Sequence, residues 1–347
     1  MSRRRALRTI DFDYTLPAEA VAQQPRPRGT SRLLVVERCT RRIHHTLVNS
    51  LPSWLRPGDL LLINDVRVIP ARLHARRPGG GQTELLLVKP VEGEVIWEAM
   101  VRPGRRLRPG MVLTLRAGSA VVIEPGTEGR WRVAFDPSLE TILAESGEVP
   151  LPPYIHRDRG ATPEDRRRYQ TVYAANGRAV AAPTAGLHFS PELLDGVAAR
   201  GVEVAPITLH VGPGTFRPVQ AEDPRHHRLD PEDYEISVAT SVALNRALAA
   251  GRRVVCVGTT SCRTLEHALA TGRGAVRSGW GTADTFLIPG RPVRGTGALM
   301  TNFHLPRSTL LMLVATLAGL DLVRRAYGEA LEEGYGFYSF GDAMLVV

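Results

Sequence analysis

Two histidines stand in loops of small residues, His188 in Ala181-Ala-Pro-Thr-Ala-Gly-Leu-His-Phe189 and His210 in Thr208-Leu-His-Val-Gly-Pro-Gly-Thr-Phe216. Imidazole titrates nearest neutrality, so each can serve as general base, general acid or polar ligand contact. Three further loops share the design of an apolar run followed by small polar residues: Asn64-Asp65, Gly258-Thr-Thr-Ser261 and Asn302-Phe-His304. Backbone N–H groups at a helix start favour anions, so Gly258-Thr-Thr-Ser261 is a candidate pocket for a carboxylate or phosphate as well as an ordinary capped turn. Asp342, after Gly341, can orient a cation or hydroxyl or simply make an Asp turn. His226-His227 with Asp230 and Glu232 fits no zinc spacing, so no metal is expected.

Such loops need strands and helices to hold them. Ser190-Pro-Glu reads as a capped helix start, Gly201 as its stop, and Val202–Leu209 as the strand leading to His210. In an open α/β sheet, loops of this kind sit at the carboxyl ends of strands, where ligands bind. Helical patterns follow at 155–175, 238–251, from Thr259, at 308–318 and at 322–332, with strands at 31–37, 253–258, 285–288 and near the C-terminus. Between His74 and Tyr154 short β runs alternate with Gly/Pro turns, the pattern of a small antiparallel barrel. The expected fold class is α/β: a large mixed-sheet domain, residues 1–73 and 155–347, with an inserted β-barrel domain at 74–154.

The 347 residues are 43% hydrophobic and 23% charged, ordinary for a globular chain. No apolar run reaches membrane-spanning length, and no signal core follows Arg3-Arg-Arg5, so no membrane association is expected. Three cysteines without metal or disulfide spacing suggest a reducing, cytoplasmic setting. The formal net charge is +9, carried almost wholly by arginine because Lys89 is the only lysine. That balance suits a polyanionic partner, although a general preference for arginine would produce it too. The absence of a Walker loop, a glycine-triplet dinucleotide fingerprint and a nucleophile elbow disfavours ordinary ATP-hydrolysis, NAD and α/β-hydrolase chemistry.

The same loops resemble the S-adenosylmethionine:tRNA ribosyltransferase-isomerase family of queuosine biosynthesis. The resemblance is carried by Asn64-Asp-Val-Arg-Val-Ile-Pro-Ala-Arg72, Tyr169-Gln-Thr-Val-Tyr173, Ala182–Phe189, Thr208–Phe216, Val257-Gly-Thr-Thr-Ser261, Thr301-Asn-Phe-His-Leu-Pro306 and Ser339-Phe-Gly-Asp-Ala-Met344. It implies transfer and isomerisation of the ribosyl part of S-adenosylmethionine onto 7-aminomethyl-7-deazaguanine in a tRNA anticodon. The products would be epoxyqueuosine, adenine and methionine. S-adenosylmethionine is then a cosubstrate, no other cofactor is implied, and a monomer is expected. The alternatives are a divergent ribosyl transferase with another deazapurine or RNA acceptor, or a basic RNA-binding protein without catalysis.

In that frame His188, His210 and Asp342 are expected catalytic residues, with either histidine as base. Asn64, Thr184, Gly186, Gly212, Thr259, Thr260, Asn302 and His304 are expected to contact S-adenosylmethionine. Arg102, Arg105, Arg106, Arg166 and Arg167 are expected on anticodon-arm phosphates. Three segments depart from the family pattern: His227-Arg-Leu-Asp-Pro-Glu232 has Asp230 in place of a histidine, Phe286-Leu-Ile-Pro-Gly-Arg291 lacks two tyrosines, and Tyr335-Gly-Phe337 lacks an arginine.

Overall fold

A computed structural model describes residues 7–92, 95–212 and 219–347, apart from the side chains of residues 92 and 128. The chain divides into two compact units. The larger holds residues through Arg67, Thr171–Gly177 and Ala182–Val347; the smaller holds Val68–Gln170 and Arg178–Ala181. The smaller unit therefore starts before the expected boundary at His74, because Arg72–Arg76 is already a barrel strand.

The larger unit is built on a nine-stranded mixed sheet. Its centre is four parallel neighbours, in the order Glu203–Leu209, Leu60–Asn64, Val254–Val257 and Thr296–Asn302. Leu60, Leu61, Leu62, Val254, Val255, Cys256 and Val257 are all buried, as expected of strands covered on both faces. Beyond Thr296–Asn302 lie Ala343–Val346, Arg32–Val36 and Ile43–Leu47; beyond Glu203–Leu209 lie Glu232–Ile236 and then Gly279–Ala283 at the edge. Because the four central strands are parallel, their carboxyl ends share one edge. Asn64, His210, Gly258 and Asn302 stand there.

Local chemistry explains the elements between them. Ser190 caps the helix Pro191–Ala199 by accepting the Leu193 N–H at 3.2 Å, a bond that stabilises a helix start by about 1 kcal/mol. Gly201 follows at φ +76°, where a side chain would be strained. Gly258, at φ +90°, turns the strand Val254–Val257 directly into the helix Thr259–Thr271.

Two elements fall elsewhere than their patterns suggest. The strand expected at 285–288 forms at Gly279–Ala283 instead. Phe286, Leu287 and Ile288 are buried in irregular backbone, and a run with no outward-facing residue does not distinguish a strand from a packed loop. The helical pattern over 155–175 is helix only at Pro163–Arg168, opened by a reciprocal cap between Thr162 and Asp165.

The smaller unit is a closed six-stranded antiparallel barrel. Around the barrel run Trp131–Asp136, Ile96–Arg102, Gln82–Glu92, Arg72–Arg76, Val112–Leu115 and Gly118–Pro125. Inward positions alternate along the strands, with Leu73, Leu85, Leu87, Trp97, Ala99, Leu113, Val122 and Val133 filling the interior.

Candidate active site

The turn Thr184–His188 lies against the carboxyl end of Thr296–Asn302. Buried His188 is held from two sides: its carbonyl accepts the Gly29 N–H at 2.8 Å, and its Nε2 lies 3.2 Å from the Asn302 amide nitrogen. The same amide nitrogen donates to the Tyr338 carbonyl at 3.0 Å. A carbonyl can only accept, which fixes the amide's orientation. His188 Nε2 is then the acceptor, so the ring is neutral and its hydrogen sits on Nδ1.

Four buried polar atoms without a hydrogen-bond partner among the described residues gather around this turn: Thr171 Oγ1, Tyr173 Oη, Thr260 Oγ1 and Asn302 Oδ1. Tyr173 Oη and Thr171 Cγ2 would lie 2.1 and 2.8 Å from a Cβ placed on Gly186, so only glycine lets the turn approach them. Ala185 and Thr260 flank Gly258, at 3.8 and 3.3 Å from a Cβ built there. An orphaned buried polar atom costs about 1–3 kcal/mol, so four in one place mark a surface suited to a polar ligand. Burial also holds the Tyr173 hydroxyl well above the usual phenol range, so it stays a neutral donor and acceptor. Thr171 and Tyr173 belong to the Tyr169–Tyr173 motif but were not expected site residues, since isolated hydroxyls in a mixed polar and apolar stretch give no spacing signal.

The other candidates distribute along the edge. His210 donates its N–H to the Asp233 carbonyl and stacks on Trp280, ring centroids 5.7 Å apart at 26°. Gly212 donates its N–H to Glu232 Oε1 at 2.9 Å; the rest of that loop, residues 213–218, lies outside the described residues. Thr259 and Thr260 open the helix Thr259–Thr271, and Arg263 in its first turns forms a buried ion pair with Glu232. Burial pulls the Arg263 guanidinium down to about 10, so it is still charged at neutral pH. Leu229, Phe286, Leu287, Thr309, Leu310 and Leu313 complete an apolar cleft around Thr259, Thr260 and Arg263. It takes in Phe286 and Leu287 from a segment that departs from the family pattern.

Three candidates are engaged with other groups of the protein. Asn64 uses both side-chain atoms on Leu209 and also accepts the Val66 N–H, joining two strand ends. His304 bonds Thr301 Oγ1 at 2.9 Å, and burial lowers its imidazole from 6.5 to about 3. Fully buried Asp342 accepts the Arg32 N–H at 2.7 Å and the Gly336 N–H at 2.8 Å. The guanidiniums of Arg32 and Arg26 lie 3.5 and 3.8 Å from it. These bonds tie the three side chains to neighbouring strands and turns of the larger unit. Arg102, Arg105, Arg106, Arg166 and Arg167 are exposed on the smaller unit.

Comparison with known proteins accords with this architecture. Residues 9–346 match the family model described as queuosine biosynthesis protein. A curated S-adenosylmethionine:tRNA ribosyltransferase-isomerase from Symbiobacterium thermophilum is 49% identical over 98% of this chain and 100% of its own length. One from Geobacter sulfurreducens is 49% identical over 97% and 98%. The crystal structure of the S-adenosylmethionine tRNA ribosyltransferase from Thermotoga maritima aligns with TM-score 0.54 and 37% identity, covering 97% of this chain and all of the other. With nearly every residue inside the family match, and a mixed sheet and closed barrel in place, the chain belongs to the queuosine biosynthesis protein family.

Proposed function

We propose that the protein transfers and isomerises the ribosyl moiety of S-adenosylmethionine onto 7-aminomethyl-7-deazaguanine in a tRNA anticodon. Epoxyqueuosine-tRNA, adenine and methionine are the products. The observation that carries this is 46–49% identity over nearly the whole chain to several S-adenosylmethionine:tRNA ribosyltransferase-isomerases. The cluster of unsatisfied hydroxyls and amide around Thr184–His188 supports it, because ribose and adenine present matching donors and acceptors.

The chemistry needs a base for the 5′ carbon, which the sulfonium acidifies, and assistance to adenine as it leaves. His188 suits the second task. Its Nε2 lone pair is engaged by the Asn302 amide, so that nitrogen is not placed to take a proton from the 5′ carbon. His210 is then the base. The strand ends carrying His210 and Asn302 are three strands apart, about 14 Å at ordinary strand spacing, so the two histidines address different parts of the bound substrates. The N-terminus of Thr259–Thr271 with Arg263 suits the methionine carboxylate or a phosphate.

Adenine release from S-adenosylmethionine tests the assignment directly. Release only with tRNA carrying 7-aminomethyl-7-deazaguanine supports it. Release with a different acceptor replaces it by a divergent ribosyl transfer, and binding without release by a non-catalytic RNA-binding protein.

A further inference from the structure

Trp280 is 68% exposed, the one Trp, Tyr or Phe among the described residues that is exposed rather than buried or half-buried. It stands on the edge strand Gly279–Ala283. Leaving an indole in water forgoes a large burial free energy, so its position calls for a reason. The surroundings are polar. Across the sheet Trp280 lies in register with Glu235, and Glu235 with Thr208, so these three side chains share one face. The Glu235 carboxylate has no hydrogen-bond or ion-pair partner among the described residues. Thr208 donates to Asp65 at 2.6 Å.

His210, two residues past Thr208, stacks on the indole at 26°. Behind the strand, Gly281 is held against the Tyr234 ring, 2.4 Å from where a Cβ would stand, which fixes the backbone that presents Trp280. The result is a rigid aromatic plane, open on its outer side and bordered by an acceptor.

We infer that the Trp280 indole is a stacking platform for one unstacked nucleobase of the RNA substrate, with Glu235 placed to accept an N–H from that base's edge. This rests on the proposed RNA substrate. Sequence-specific proteins read single-stranded RNA loops by stacking splayed bases on aromatic rings. A protein-docking role fits less well: one indole among carboxylate, imidazole and hydroxyl groups makes no contiguous apolar patch, whereas a chain of net charge +9 suits a polyanion.

The test uses the full-length protein and an anticodon stem–loop RNA. Wild-type tryptophan emission falls on RNA addition, and the fall is lost in Trp280→Phe, which keeps the affinity within a few-fold. Trp280→Ala weakens RNA binding about 5- to 150-fold, the range of one base–aromatic stack, while S-adenosylmethionine affinity is unchanged. One abasic substitution in the loop reproduces that loss and adds nothing to it in Trp280→Ala. The inference is overturned if Trp280→Ala binds RNA like wild type, if quenching persists in Trp280→Phe, or if Trp280→Ala changes the sedimentation mass, which would make the indole a contact between copies. Failure of the wild type to bind RNA at all would remove the RNA-substrate reading along with it.

Discussion

Asn302 donates through one amide nitrogen to both His188 Nε2, at 3.2 Å, and the Tyr338 carbonyl, at 3.0 Å. The carbonyl sets the amide, the amide sets the tautomer, and the tautomer sets what His188 can offer a ligand. His188→Ala should lower the rate of adenine release about 10²- to 10⁴-fold, the usual contribution of a positioned acid or base. On the proposed assignment Asn302 orients His188, so Asn302→Leu should lower the rate and release the tautomer. Nitrogen NMR of labelled imidazole would read that change; an unaltered tautomer would refute the positioning role.

Gly186 admits the Tyr173 hydroxyl at a distance no Cβ tolerates. Gly186→Ala should therefore reduce activity sharply, with a stability loss of about 1–3 kcal/mol typical of overpacking. Tyr173→Phe removes the colliding oxygen, so the double variant should regain stability over Gly186→Ala. Equal unfolding midpoints for the single and double variants would place the collision elsewhere.

Arg263 and Glu232 are both buried and paired. Removing one partner strands a charge, so Arg263→Ala should cost about 3–5 kcal/mol in urea unfolding. Replacing both, as Arg263→Met with Glu232→Gln, should recover most of it, although the hydrogen bond from Gly212 to Glu232 would weaken. A double variant as unstable as Arg263→Ala would count against a simple ion pair.

His304 makes the fold acid-sensitive. Burial lowers its folded value from 6.5 to about 3, so between these limits the unfolded chain binds the extra proton. Stability from keeping it neutral is complete above about 6.5 and is lost as pH falls toward about 3, by up to ~1.4 kcal/mol per pH unit. Urea midpoints measured from pH 7 to pH 4 should fall less steeply in His304→Gln than in wild type.

The exposed arginines of the smaller unit are proposed contacts to tRNA phosphates. Replacing Arg102, Arg105 and Arg106 by Ala should weaken tRNA binding. It should also flatten the dependence of log affinity on log salt by about 0.7–0.9 for each phosphate that the variant no longer neutralises. An unchanged salt slope would assign the phosphates to other residues.

The sequence by itself determined the components of this protein. Ser190 and Gly201 bounded their helix because a cap and a left-handed glycine act within a few residues. The barrel was legible because closely spaced strands with Gly/Pro turns leave few alternatives. The loops bearing His188, His210, Gly258 and Asn302 announced themselves by small and polar residues after apolar runs, and their motifs carried the family.

Only the tertiary structure decided which atoms each side chain meets. Asn64, His304 and Asp342 have the residue types of ligand contacts, yet their polar atoms meet Leu209, Thr301, and the Arg32 and Gly336 backbone. Thr171, Tyr173 and Arg263 give no spacing signal, yet parallel pairing and helix packing bring them to the same edge. The bonds that join Asn64 to Leu209 and Asp342 to Arg32 bridge 145 and 310 residues of sequence. No local pattern encodes that meeting, so the sequence could name the loops while the fold alone assigned their atoms.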